Sequence, residues 1–400
     1  MTPRTRYPLM MRLGHIVASA LLIAALGEGC KSSEGRGGPA SANGKPIGYG
    51  ASVSAGAGGQ SLTTTSGGQG DCSDEGTCGT ETHAITFDAP NLYFVLDASG
   101  SMLAEVPDKG GDTRYQVVRK AARTLVGKLG SLINVGVAIF PGPQKGCSGG
   151  DEVMPVTPGD PYSANDVGPT LQAFIDTTAL TPAGGTPTAA TLEALLPKLA
   201  ELKGRTVVLL LTDGGPNCNT KASCGPDECM PVIEGECTPS QGCCDPNFAG
   251  GGPRLCVDRG PTVKAVEAIH ALGIDVYVIG VADLALYEGV LDEMAVAGGK
   301  PNATGTKYAE AKDLGKLGAI FSAIASNAIE CEFVVQDPPE DKGFTNVHFD
   351  CTPLPLDPKN GWAWSSDTTI TLYGDACAAL KSGKVGQVKI VTGCPTEQPK

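Results

Sequence analysis

The chain of 400 residues carries 43 acidic against 30 basic side chains, a formal net charge of -13, and 41% hydrophobic residues. That is enough length for two or three domains and enough apolar material for a real core. The acidic balance argues against a phosphate-binding surface, which needs clustered Lys and Arg, so no nucleic-acid partner is expected.

At the N-terminus, Arg4, Arg6 and Arg12 precede the apolar run from Ile16 to Leu26, which is too short to span a bilayer comfortably. Residues 1–30 read as a bacterial export signal. The signal ends at Leu26-Gly27-Glu28-Gly29-Cys30, which resembles a lipoprotein lipobox and makes Cys30 the expected lipidation site and membrane anchor. Ordinary signal-peptidase cleavage, leaving a soluble protein, is the alternative. Either way the mature chain is expected in the bacterial cell envelope: an outer-membrane lipoprotein or cell-surface protein, otherwise periplasmic or secreted. Residues 31–81 read as a flexible tether, since 34 to 70 are Gly, Ser, Ala and Thr with almost no large apolar side chain, followed by a small loop with Cys72 and Cys78.

Setting Cys30 aside, 14 of the 15 cysteines remain, an even number that suits disulfides in an oxidising compartment. A middle group holds Cys147, Cys218, Cys224, Cys229, Cys237, Cys243, Cys244 and Cys256, and a late group Cys331, Cys351, Cys377 and Cys394. Zinc fits the middle group poorly: its spacings are irregular, no His lies among them, and adjacent Cys243 and Cys244 cannot easily share one tetrahedral site.

The main domain is expected over residues 82–330. Leu92 to Leu96 is an unbroken apolar run, the pattern of a fully buried strand in a parallel sheet, and it ends in Asp97-Ala98-Ser99-Gly100-Ser101. Ligands bind at the carboxyl ends of such strands, and Asp97, Ser99 and Ser101 at alternating positions could turn three oxygens to one point. An oxygen cluster suits Mg²⁺, Mn²⁺ or Ca²⁺. The competing reading is a turn or a helix cap.

A helix is expected over 113–129, with Asp112 as N-cap and Gly130 as stop, then a strand over 132–140, an edge strand over 152–157 and a helix over 164–176. In Thr181 to Thr188 the pair Gly184-Gly185 permits close backbone approach, and Pro187 opens a helix over 188–203, which holds the Thr186 hydroxyl at a loop-to-helix junction. Residues 205–213 repeat the buried strand ending in an acid, Asp213. An insertion over 214–260, rich in Cys, Gly and Pro, should rise from that edge and needs its disulfides to hold shape, and a bond from Cys147 into it is plausible. Helix 261–272, strand 274–281, helix 284–297, strand 306–309 and helix 311–329 complete an α/β, doubly wound, mostly parallel sheet. From Cys331 the chain turns to short β runs over 332–336, 345–350, 368–373 and 385–391, a small disulfide-stapled β-rich domain over 331–400 with Trp362 and Trp364 in its core.

With Asp97-x-Ser99-x-Ser101, Thr186 in a Gly-Gly-Thr-Pro loop, and Thr212-Asp213-Gly214 in this order, residues 90 to 330 resemble the von Willebrand factor type A (VWA) family. The resemblance implies a Rossmann-like, six-stranded sheet with one antiparallel edge, placed at 152–157. It also implies a metal-ion-dependent adhesion site formed by Asp97, Ser99, Ser101, Thr186 and Asp213, with Mg²⁺ as first choice and Mn²⁺ or Ca²⁺ as alternatives. The tail from Cys331 resembles the C-terminal region of multi-cysteine, type-A-domain lipoproteins of myxobacteria, which carries no function over.

The function implied is a cell-envelope, divalent-cation-dependent adhesion module that binds an exposed Asp or Glu carboxylate of a protein or matrix partner. The alternative is a structural or assembly component of an envelope complex in which the metal is secondary. No enzyme activity is expected: none of His15, His83, His270 and His348 lies in a triad-like or zinc-like stretch, Ser99 has no nucleophile elbow, and no phosphate-binding Gly-Lys-Ser/Thr occurs.

Overall fold

A computed structural model of the chain describes residues 60–62, 81–82, 85–106, 110–161, 167–281, 284–311, 316–393 and 395–396. The expected signal with Cys30, the Cys72/Cys78 loop and Cys394 lie outside the described residues.

The central sheet has six strands in the spatial order Asp151–Pro158, Asn134–Phe140, Asn91–Asp97, Thr206–Thr212, Asp275–Val281, Ala309–Ala311. All pairings are parallel except Asp151–Pro158 against Asn134–Phe140, the antiparallel edge expected from the sequence. The strand Asn91–Asp97 sits inside the sheet and is buried along its whole length. Leu92, Phe94 and Leu96 enter one apolar cluster while Tyr93 and Val95 enter the other. That two-sided burial is why the run shows no polar alternation.

Helices Arg114–Leu129, Pro169–Thr177 and Leu317–Ala328 cover the first face through Val118, Ala122, Phe174 and Phe321. Thr188–Glu201, Arg259–His270 and Glu288–Ala297 cover the second through Leu192, Leu195, Val266 and Leu291. Each fully buried Leu, Val or Phe contributes about 1.5–3 kcal/mol, so two such layers supply the core.

Element ends moved for local reasons. Thr113, not Asp112, caps the first helix: its hydroxyl accepts from Gln116 N–H while Gln116 Oε1 accepts from Thr113 N–H at 2.9 Å, satisfying two otherwise unpaired donors. Asp112 pairs with Lys120 instead. Leu284–Tyr287 forms a turn before the helix that begins at Glu288. Pro187 stands just outside its helix as the capping residue.

The C-terminal β region pairs with strands from before the central sheet, across the boundary expected at residue 331. Glu332–Val335 pairs with Thr369–Leu372 on one side and with Ile85–Phe87 on the other, and Ile85–Phe87 in turn pairs with Gln60–Leu62. A second sheet joins Thr345–Phe349 to Thr352–Pro353 and Val388–Thr392, and the last of these pairs with Glu81–Thr82. Two short segments of the stretch expected as tether, 60–62 and 81–82, are therefore strands of these sheets. Phe333, Trp362, Ile370, Leu380 and Ile390 also lie in the same apolar cluster as Phe94, Leu125 and Phe321. Residues 332–393 thus share a core with the central sheet, because sixty residues with few large apolar side chains bury too little on their own. The bond Cys331–Cys377 ties the strand's start to the helix Gly374–Lys381, and Cys351 is disulfide-bonded as well.

The insertion over 214–260 follows the strand Thr206–Thr212 and is held by Cys147–Cys218, Cys224–Cys256, Cys229–Cys244 and Cys237–Cys243. Cys218 N–H donates to Arg254 C=O and Asp258 N–H to Pro216 C=O, so its two ends are pinned together.

Candidate metal centre

The sheet register brings the two acids together. Leu96 is paired with Leu211, so Asp97 and Asp213 emerge at the carboxyl ends of neighbouring strands. Ser99 and Ser101 are aimed by a turn, since Asp97 Oδ1 accepts from Ser99 N–H at 2.7 Å and Gly100–Leu103 winds into a short 3-10 helix. The convergence therefore comes from a helical turn and not from strand alternation.

The oxygens then form a chain. Ser99 Oγ lies 3.0 Å from Ser101 Oγ, and Ser101 Oγ donates to Asp213 Oδ1 at 2.6 Å. Thr212 Oγ1 donates to Asp97 Oδ2 at 2.6 Å, and Arg114 Nη1 lies 2.8 Å from Asp213 Oδ2. Thr186 lines an open cavity of about 390 Å³ that Ser99, Ser101 and Asp213 also line. Thr186 is only 4% exposed. Asp97 is fully buried and is not among the residues that line the cavity.

Burial pushes the Asp97 carboxyl well above the usual carboxylate range, and the neighbouring Asp213 charge adds to the shift against the hydrogen bonds from Ser99 and Thr212. Asp213 is raised too, chiefly by burial and against the opposing pull of Ser101 and Arg114. Two buried acids side by side call for positive charge.

This donor set fits a hard divalent cation: three hydroxyls and two carboxylates, all oxygen. Of the five sequence-predicted residues, Ser99, Ser101, Thr186 and Asp213 line the cavity and Asp97 is hydrogen-bonded to Ser99 N–H and the Thr212 hydroxyl behind it. The sulfurs of Cys224, Cys244 and Cys256 also lie within 4.8 Å of one another, but each is in a disulfide and offers no thiolate.

Sequence reasoning missed several neighbours. Thr212 sits inside the quoted Thr-Asp-Gly motif, so its role was there to be found. Arg114, one residue beyond a helix cap, carried no signal. Across the cavity stand Met230 and Glu234 from the insertion and Leu286 and Tyr287 from the turn after Asp275–Val281. Tyr287 Oη donates to Glu234, joining turn and insertion into one wall.

No sequence-family profile matches the chain, and no curated protein does. Solved structures similar to it include the PilB minor pilin from Streptococcus sanguinis, with 19% identity over 61% of this chain and 61% of that one and a TM-score of 0.39. The pilus adhesin SpaC from Lactobacillus rhamnosus GG in its open conformation has 17% identity over 78% of this chain and 40% of that one, with a TM-score of 0.42. The vWF domain of the type V pili tip protein Mfa5 from Porphyromonas gingivalis has 15% identity over 62% of this chain and 96% of that one, with a TM-score of 0.39. The chain spans less than two thirds of the minor pilin and of the adhesin. The sheet order and its single antiparallel edge give residues 91–328 a doubly wound, mostly parallel α/β fold, the architecture expected from the resemblance to von Willebrand factor type A domains, with the three motifs at the sheet's carboxyl end.

Proposed function

We propose that this domain is a divalent-cation-dependent protein-binding module of the bacterial cell envelope, anchored through a lipid on Cys30. The observation that carries the reading is that Ser99, Ser101, Thr186 and Asp213 line one cavity, with the buried carboxylate of Asp97 hydrogen-bonded to Ser99 N–H behind them. These five residues would hold Mg²⁺, with Mn²⁺ or Ca²⁺ as substitutes. When bound, the ion supplies an electrophilic position that accepts the carboxylate of a partner's Asp or Glu.

The protein's own residues do the rest. Asp97, locked by Ser99 N–H and the Thr212 hydroxyl, supplies buried negative charge without facing the partner. Ser99, Ser101 and Thr186 present hydroxyls, which keep the site from being neutralised before the partner's carboxylate arrives. Met230, Leu286 and Tyr287 form the surface a partner must fit, and specificity is decided there because any carboxylate satisfies the ion.

Calorimetric titration of the purified protein with MgCl₂, and capture of envelope proteins in Mg²⁺ against EDTA, test the reading. Saturable binding lost in Asp97→Ala and capture lost in EDTA are expected. Equal capture in both buffers would sink it. Incorporation of labelled fatty acid, absent in Cys30→Ala, tests the anchor.

A further inference from the structure

Thr186 is gripped from two sides. Its N–H donates to Asn217 Oδ1 at 2.8 Å, and its C=O accepts from Asn217 N–H at 2.9 Å. Asn217 is fixed in turn, because its Nδ2 contacts Met230 Sδ. On the other side, Gly185 N–H donates to Gly146 C=O at 2.7 Å. The residues next to these two anchors, Cys147 and Cys218, are joined by a disulfide with Cα atoms 5.2 Å apart.

The two loop glycines follow from this geometry. A Cβ on Gly185 would lie 2.5 Å from Cys218 Sγ and 2.9 Å from Asn217 Oδ1. At Gly184, whose φ is +97°, it would lie 2.6 Å from Gly146 N and O. The Thr186 loop is thus pressed against a cross-linked pair of segments, one from the loop after Asn134–Phe140 and one from the neck of the insertion. From Thr186's own helix, Thr188 N–H also donates to the Thr186 C=O at 2.8 Å, while Pro187 caps that helix without a side-chain bond.

We propose that Asn217 and the Cys147–Cys218 disulfide form a clamp that holds Thr186 in its cation-binding position, so that the site is completed only when this bond has formed. The proposal rests on the cation reading above. Bond formation passes two electrons and two protons from the Cys147 and Cys218 thiols to a disulfide oxidant, whose own S–S bond is reduced to two thiols. Before export, in a reducing compartment, the loop lacks the cross-link and the site binds cation weakly. After export it closes.

The test uses the full chain as the Cys147→Ser/Cys218→Ser double variant, as Asn217→Ala, and as a control lacking the outer bond, Cys237→Ser/Cys243→Ser. Amide hydrogen exchange at Gly185 and Thr186 is followed in EDTA, and MgCl₂ affinity is followed by calorimetry. In the two clamp variants, exchange at Gly185 and Thr186 should rise about tenfold or more and Mg²⁺ Kd should rise about 10–100-fold, the usual cost of losing a residue that orients a ligand. The control should stay within about twofold of the parent in both. Parent-like exchange at Gly185 and Thr186 in Asn217→Ala, or in a folded double variant, overturns the clamp. If the parent protein binds no Mg²⁺, the cation reading fails, while the metal-free exchange data still decide the clamp.

Discussion

Arg114 Nη1 and Asp213 Oδ2 are 2.8 Å apart, and the Asp213 side chain is buried while the Arg114 side chain is 28% exposed. Without a cation, this arginine is the positive charge paired with Asp213. Replacing it by Gln in Arg114→Gln leaves Asp213 uncompensated and should destabilise the cation-free protein by about 1–2 kcal/mol, less than a wholly buried pair because the arginine is partly solvated. The same change should enlarge the stabilisation by Mg²⁺. Chemical denaturation in EDTA and in MgCl₂ measures both, and a variant with parent stability in EDTA would contradict it.

Asp97→Asn separates charge from shape. An amide can keep the Ser99 N–H contact through its oxygen and donate to the Thr212 hydroxyl, so the fold should survive with stability in EDTA unchanged or raised. Mg²⁺ affinity should fall by about 100-fold or more, since a buried ligand charge is gone. Unaltered calorimetric affinity would remove Asp97 from the site.

The raised acids set the direction of a pH effect. A carboxyl whose folded pKa lies above its unfolded value favours folding most below the ordinary carboxylate range, and that contribution is lost as pH rises toward the folded value. Asp97 and Asp213 both behave so, chiefly because of burial. A bound cation favours the ionised forms and opposes the loss. The difference in melting temperature between MgCl₂ and EDTA should therefore be larger at neutral pH than at pH about 5. An equal difference at both would show that these carboxyls do not bind the ion.

Phe333→Ala tests the shared core. Phe333 is fully buried with its ring 5.4 Å from that of Phe87, and both belong to the cluster that contains Phe94 and Phe321. The substitution should cost about 3–5 kcal/mol. Unfolding should stay a single transition moving as a unit. Two separate transitions, with only one displaced, would mean that the C-terminal sheets fold on their own.

What the sequence disclosed and concealed divides along physical lines. Buried strands such as Leu92 to Leu96 and Val207 to Leu211 are legible because both faces are covered and no polar residue interrupts them. The five ligand-type residues were legible because each stands at a strand end or loop junction. Arg114, Asn217 and Glu234 were not, because their roles depend on elements brought close only by the fold. The cap at Thr113 lost to Asp112 on the page because either type can cap, and the reciprocal Gln116 contact decides. The apolar cluster that crosses residue 331 was not legible for a related reason: a change in local pattern marks a change in secondary structure, and says nothing about where apolar surface is shared.

The pairing of Gln60–Leu62 with Ile85–Phe87, and of Ile85–Phe87 with Glu332–Val335, has a mechanical consequence. If the chain is held at its N-terminal end while a partner pulls on the cation site, tension entering at residue 60 runs first along these antiparallel ladders. None of their hydrogen bonds involves Asp97, Ser99, Ser101, Thr186 or Asp213. The ladder Thr86 to Val334 would then act as a strain relief, yielding or holding before the grip on the partner is disturbed.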